Sequence, residues 1–127
     1  MAIIVYNINE EDHSNNENNY VITRPGILGN PYTHIKTKKT LAKYVVKTRE
    51  EAIERYDTYF DVMYSGNKVF RAVIDDMYEK YKRGEDIYLQ CVCKPLPCHG
   101  DIIAKKLQQR LLKEKINNIK HKKDEKL

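Results

Sequence analysis

The 127-residue chain has no tryptophan, only two phenylalanines and only three cysteines. Aromatic bulk therefore falls to ten tyrosines. Those at helical spacing, Tyr56, Tyr59 and Tyr78, read as core and rim rather than as stacking platforms for nucleic-acid bases. No run approaches the roughly 18 apolar residues of a membrane span. The opening Met1-Ala-Ile-Ile-Val-Tyr6 also lacks the basic segment and long apolar stretch of a secretory leader. The expected location is the cytoplasm, with no membrane partner. Three cysteines within eight positions, an odd number without a secretion signal, argue for thiols or a metal site rather than a disulfide framework. No internal repeat is visible.

The length suits one domain with a single core. The formal charge is +5, of which residues 113–127 carry +3. The body, residues 1–112, is thus only weakly basic, and 113–127 reads as a helical or disordered, solvated basic tail. Charge runs of this kind are usually solvated ends rather than nucleic-acid arms.

The order of elements follows from periodicity and punctuation. Ala2 to Ile8 is an apolar run of strand length, expected to be the central strand because both faces look covered. Glu10 to Asn19 is a polar, Asn-rich loop, and Tyr20-Val-Ile-Thr23 a second short strand. Arg24-Pro-Gly-Ile-Leu-Gly-Asn-Pro31 holds two prolines and two glycines in eight residues, too many for a regular element. Thr48-Arg-Glu-Glu51 matches a capping box before a helix whose face is Ala52, Ile53, Tyr56, Phe60 and Met63. Ser65-Gly-Asn67 stops it, and Asn67 can cap a second helix with Phe70, Val73, Ile74, Met77 and Tyr81 buried. That helix ends at Arg83-Gly84, where glycine suits a left-handed residue. A strand over Asp86–Cys93 and a helix from Asp101 to Leu112 follow, the helical pattern persisting weakly through Ile116 and Ile119. Strands joined through helices usually pair in parallel. The expected fold is α/β, a small Rossmann-like three-layer domain with a largely parallel sheet.

Cys91-Val-Cys-Lys-Pro-Leu-Pro-Cys-His-Gly-Asp101 connects the last strand to the last helix, an arrangement that aims a helix dipole and unpaired amides at an anion. His99 could donate to a phosphate or ribose, Gly100 could let a ligand approach the backbone, and Asp101 complements the dipole; plain capping explains the same residues. Cys98 at a helix start could have a stabilised thiolate. Cys91 and Cys93 read as small buried residues. Zinc on Cys91, Cys93, Cys98 and His99 has four suitable ligands in its favour, but strand C-x-C and adjacent Cys-His are awkward for tetrahedral closure. No metal and no cofactor are expected. In the other loop, Arg24 offers a guanidinium for phosphate or carboxylate, Gly29 exposes backbone, and Asn30 could read a base or ribose edge. A crevice shared by both loops implies a nucleotide-sized guest.

Arg24-Pro-Gly-Ile-Leu-Gly-Asn-Pro-Tyr32 and Leu89-Gln-Cys-Val-Cys-Lys-Pro-Leu-Pro-Cys-His-Gly-Asp101 together resemble the family catalogued as domain of unknown function 4326, found in bacteria and many phages. That family is similar to the Rossmann-like SLOG group of nucleotide-binding and nucleotide-cleaving proteins. The resemblance implies a nucleotide-like ligand at Arg24, Asn30, Cys98, His99, Gly100 and Asp101. Enzymes of the wider group place a catalytic glutamate in a Gly-Gly-x-Gly-x-x-Glu stretch, which this chain lacks. The leading expectation is a protein that binds a nucleotide or ADP-ribose-like molecule, in a phage as an anti-defence sponge acting in the host cytoplasm. The alternatives are an enzyme of N-glycosidic or phosphoribosyl hydrolysis using Asp101, His99 or Cys98, and a zinc-stabilised interaction module. The apolar residues Ile103, Leu107, Leu111 and Ile116 could serve a homo-oligomer as easily as a core.

Overall fold

Alternation along Ile87-Tyr-Leu-Gln-Cys91 places Ile87, Leu89 and Cys91 on one buried face and Tyr88 and Gln90 on the other. This segment is the centre of the sheet. The computed structural model describes residues 2–35 and 42–125. In chain order its elements are β1 (Ile3–Asn7), β2 (Asn19–Val21), β3 (Tyr32–Thr33), β4 (Tyr44–Val45), α1 (Arg49–Gly66), α2 (Lys68–Lys82), β5 (Ile87–Cys91) and α3 (Gly100–Glu125).

The main sheet has the order β1-β5-β2 and is parallel throughout. Pairing runs from Ile3 opposite Ile87 to Asn7 opposite Cys91, and from Asn19 opposite Tyr88 to Val21 opposite Gln90. The chain therefore has the expected mixed α/β fold of a small Rossmann-like domain with a parallel sheet. The centre is β5, however, and not the apolar run at the start, which forms an edge strand. That run looks covered on both faces for a local reason: Ile3 and Val5 pack on the core, while Tyr6, 1% exposed, lies on the opposite face beneath the 8–18 loop. There His13 stacks on Tyr88 with ring centroids 4.3 Å apart, and the Tyr6 hydroxyl donates to Asn19 Oδ1 at 2.5 Å. The third layer is thus a loop.

The helices pack against one another and against the Ile87–Leu89–Cys91 face, closing a core that includes Tyr56, Phe70, Ile74, Met77, Ile103 and Leu107. Thr48 caps α1, its hydroxyl accepting from Glu51 N at 3.1 Å, and Asn67 caps α2 through Phe70 N at 3.0 Å. Gly84, at φ +92°, ends that unit in the left-handed region. Tyr56 and Tyr78 are fully buried and Tyr59 half-buried, and the Tyr56 hydroxyl finds an acceptor in the Leu28 carbonyl at 2.8 Å. Residues 113–125 extend α3 as helix, held near its middle by Glu114, which accepts from the Tyr78 hydroxyl and the Lys82 ammonium. Beyond Leu111 the apolar Leu112, Ile116 and Ile119 are exposed. Among the described residues no helix is long and apolar enough to cross a membrane.

A second, two-stranded parallel ladder pairs Tyr32 with Tyr44 and Thr33 with Val45. Strands of two residues carry no periodicity for a sequence reading to detect. They bring the segment after Pro31 alongside α1.

Candidate functional site

In open α/β sheets ligands bind beyond the carboxyl ends of the strands. A cleft of about 490 Å³ lies there, within the usual range of small-molecule sites. Four segments meet around it: Thr23–Arg24 after β2, Asn30–Ile35, the first turns of α1, and Cys91–His99 running from β5 into α3.

His99 joins two of these. Its Nε2 lies 2.7 Å from the Ile22 carbonyl, so that nitrogen carries the proton and donates; Ile22 N in turn donates to Gln90 O at 3.1 Å. The start of α3 is thereby pinned to the ends of β2 and β5. Burial holds the His99 pKa down to about 4 against the favourable Ile22 carbonyl, with the nearby Arg24 charge acting in the same direction as burial. The imidazole is neutral at physiological pH. Its ring also packs on Tyr56, with centroids 4.7 Å apart.

Cys98 is 3% exposed, and burial together with neighbouring Cys91 pushes its thiol up to about 12. The expected thiolate at a helix start does not form, because desolvation outweighs the dipole and the Gly100 N–H. The helix start is also capped from within. Asp101 Oδ2 accepts from Cys98 N at 3.2 Å while its Oδ1 pairs with Lys94 Nζ at 2.6 Å, and Asp101 N donates to Cys98 O at 3.1 Å. Gly100 has a packing role rather than one of ligand approach. A β-carbon there would lie 2.8 Å from both Val5 Cγ1 and Ile22 Cδ1, so the glycine lets α3 sit directly on the sheet. Gly29 is likewise closed off, its missing β-carbon falling 3.0 Å from Arg24 Cα.

Arg24 donates through Nη1 to the carbonyl of Asn30 at 2.7 Å, bracing its own loop. Asn30, 7% exposed, donates to Ala52 O at 3.0 Å and accepts from Tyr32 N at 3.0 Å, tying that loop to α1. Of the expected site residues, Arg24, Asn30, Cys98 and His99 line the cleft, whereas Gly29, Gly100 and Asp101 build its support. Asn30 and His99 both shape the walls with hydrogen bonds to the protein itself.

Sequence reasoning missed Arg49, His34, Ile35, Val92 and Leu96, all of which line the cleft. Arg49 could have been found: it is the first residue of a helix, and helices that follow strands in α/β folds begin on the ligand side of the sheet. His34 and the apolar trio had no comparable signal. Ile35, Val92 and Leu96 are each more than half exposed, an apolar rim around the opening. Arg24, Arg49, His34 and His99 line the cleft, and among the described residues no Asp or Glu does. Such a lining favours an anion with an apolar or aromatic part.

Cys91, Cys93 and Cys98 are free and reach the cleft. Among the described residues no group of three or more His, Cys, Asp or Glu side chains is placed to hold a metal ion.

Comparison with curated proteins gave no match, and neither did comparison with solved structures. One family model does match, across residues 6–109, which takes in both loops, the end of β1, all of β2 to β5 with α1 and α2, and the first part of α3. The chain belongs to the family described as Domain of unknown function (DUF4326).

Proposed function

We propose that the chain binds a nucleotide or ADP-ribose-like molecule in this cleft and holds it without altering it. The observation that carries the reading is the lining: cationic Arg24 and Arg49 with His34, an apolar rim, and no carboxylate among the described residues, at the ligand edge of a parallel sheet. Arg49, whose Nη1 makes a long 3.4 Å contact to Pro97 O and no other hydrogen bond among the described residues, is the side chain best able to turn toward a phosphate. Ile53, Val92 and Leu96 suit the flat face of a base.

Capture is favoured over turnover by the state of the groups that would have to react. Cys98 is a protonated thiol, the Nε2 proton of His99 is committed to Ile22, and Asp101 is engaged by Lys94 and Cys98 N. General acid–base catalysis needs a group within reach whose proton is free to move, and nucleophilic catalysis needs an activated one. In a phage, a protein of this kind would act as a sponge that withdraws a host's nucleotide immune signal.

Thermal-shift measurements with ADP-ribose, its cyclic forms and common nucleotides test this. A ligand at 100 times its Kd adds about 2.7 kcal/mol, which is several degrees in Tm for a domain of this size. Mass spectrometry of material released by heat then separates the readings: unchanged ligand supports capture, and a freed base or ribose phosphate supports hydrolysis. Failure of every anion in the panel to raise Tm would remove the proposal.

A further inference from the structure

The edge formed by β1 offers a docking surface whose chemistry is that of a strand. In the parallel register, Ile87 N donates to Ala2 O at 2.8 Å and Ile8 N to Cys91 O at 3.1 Å, so the even-numbered residues of β1 turn their backbone groups toward β5. The odd-numbered residues turn theirs outward. The Asn7 carbonyl is taken by Glu10 N at 3.0 Å and Glu11 N at 3.1 Å. The N–H and C=O of Ile3 and Val5 remain, along with the Asn7 N–H, with no partner among the described residues.

Natural proteins blunt such edges with proline, inward charges, bulges or brevity. The other edge follows that rule, since β2 has only three residues. β1 has five, Ile-Ile-Val-Tyr-Asn, without charge or proline. Both ladders of β5 are already made, by β1 on one side and by Asn18 O and Ile22 N on the other, so growth of the sheet can occur only at its edges.

We propose that β1 pairs antiparallel with β1 of a second copy of this chain, about a two-fold axis through Ile4, to give a continuous six-stranded sheet. Ile3 then lies opposite Val5 of the partner, and Val5 opposite its Ile3. This one register satisfies the N–H and C=O of both Ile3 and Val5 in each strand. It brings no charge against a like charge, because β1 carries none. A two-fold interface must be complementary to itself, and an uncharged edge with a symmetric set of donors and acceptors meets that condition. The helical layers of both copies fall on the same side of the joined sheet, and the cleft of each stays open beyond the ends of its own strands.

Sedimentation equilibrium of the full chain tests the pairing. The expected mass is twice the 15.0 kDa of one chain. Ile4→Lys, at a position outside the packed core cluster, sets two ammonium groups face to face across the axis and should restore the single-chain mass. Val21→Lys, at the half-exposed end of β2, should leave the doubled mass unchanged. A single-chain mass for the unaltered protein up to millimolar concentration overturns the proposal, and so does a dimer that persists in Ile4→Lys. Should Ile4→Lys fail to fold, amide exchange in the unaltered protein decides: Ile3 and Val5 amides gain protection with rising concentration if they pair, and exchange freely at all concentrations if they do not.

Discussion

Lowering the pH should unfasten α3 from the sheet through His99. The folded pKa of about 4 lies below the ordinary histidine value of 6.5, so between those limits the unfolded chain binds the extra proton and the native state does not. Stability is then fully present above about pH 6.5 and is lost as the pH falls through 4. The separation of about 2.5 units corresponds to about 3 kcal/mol, accumulated at no more than about 1.4 kcal/mol per pH unit. Against a typical domain stability of about 5–15 kcal/mol this is a large share. Carboxylates titrate in the lower part of the same range, so the comparison has to be made with His99→Gln, which retains an N–H donor for the Ile22 carbonyl and does not ionise. Urea unfolding at half-unit steps from pH 4 to 8 should give a steeper loss of stability in the unaltered protein than in the variant, the difference approaching about 3 kcal/mol at pH 4. Parallel pH profiles would refute the reasoning. So would an NMR titration that placed the His99 midpoint near 6.5.

Gly100→Ala should destabilise by about 1–3 kcal/mol in urea unfolding, because the new methyl meets Val5 and Ile22 at 2.8 Å and the helix must lift from the sheet. An unchanged midpoint would show that the contact relaxes at no cost. Arg49→Ala should leave stability within about 0.5 kcal/mol, since among the described residues the side chain's one hydrogen bond is its long contact to Pro97, and should weaken an anionic ligand by about tenfold or more. Equal affinity in calorimetry would exclude Arg49 from the site. Iodoacetamide at pH 8 should label Cys93, which is half-buried, well before buried Cys91 and Cys98, as read by peptide mass mapping. Preferential labelling of Cys98 would contradict its raised pKa.

Much of the fold was legible because its signals are local. The capping box at Thr48, the double duty of Asn67, the glycine at 84 and a strand within Asp86–Cys93 each depend on residues a few positions apart, and each appears in the structure as expected. Strand order did not follow, because the apolar content of β1 records how much of it is covered, and a loop covers a face as well as a helix does. The site divided along the same line. That two loops share a crevice follows from their topology, but the task of each residue within it depends on contacts across the chain. Asn30 reaches Ala52, His99 reaches Ile22, and Gly100 rests against Val5. Each is a residue type with ligand-binding chemistry that here supports the wall of the cleft. Arg49 was hidden by its neighbours, since Thr48 and Glu51 account fully for that stretch as a helix cap.

The most direct test of the binding reading is amide chemical-shift mapping of the labelled protein during titration with ADP-ribose and with AMP. Saturable shifts concentrated in residues 23–35, 49–53 and 91–99 are predicted, with the 60–80 region of the helices unmoved. Saturable shifts centred elsewhere, or none at millimolar ligand, would contradict it.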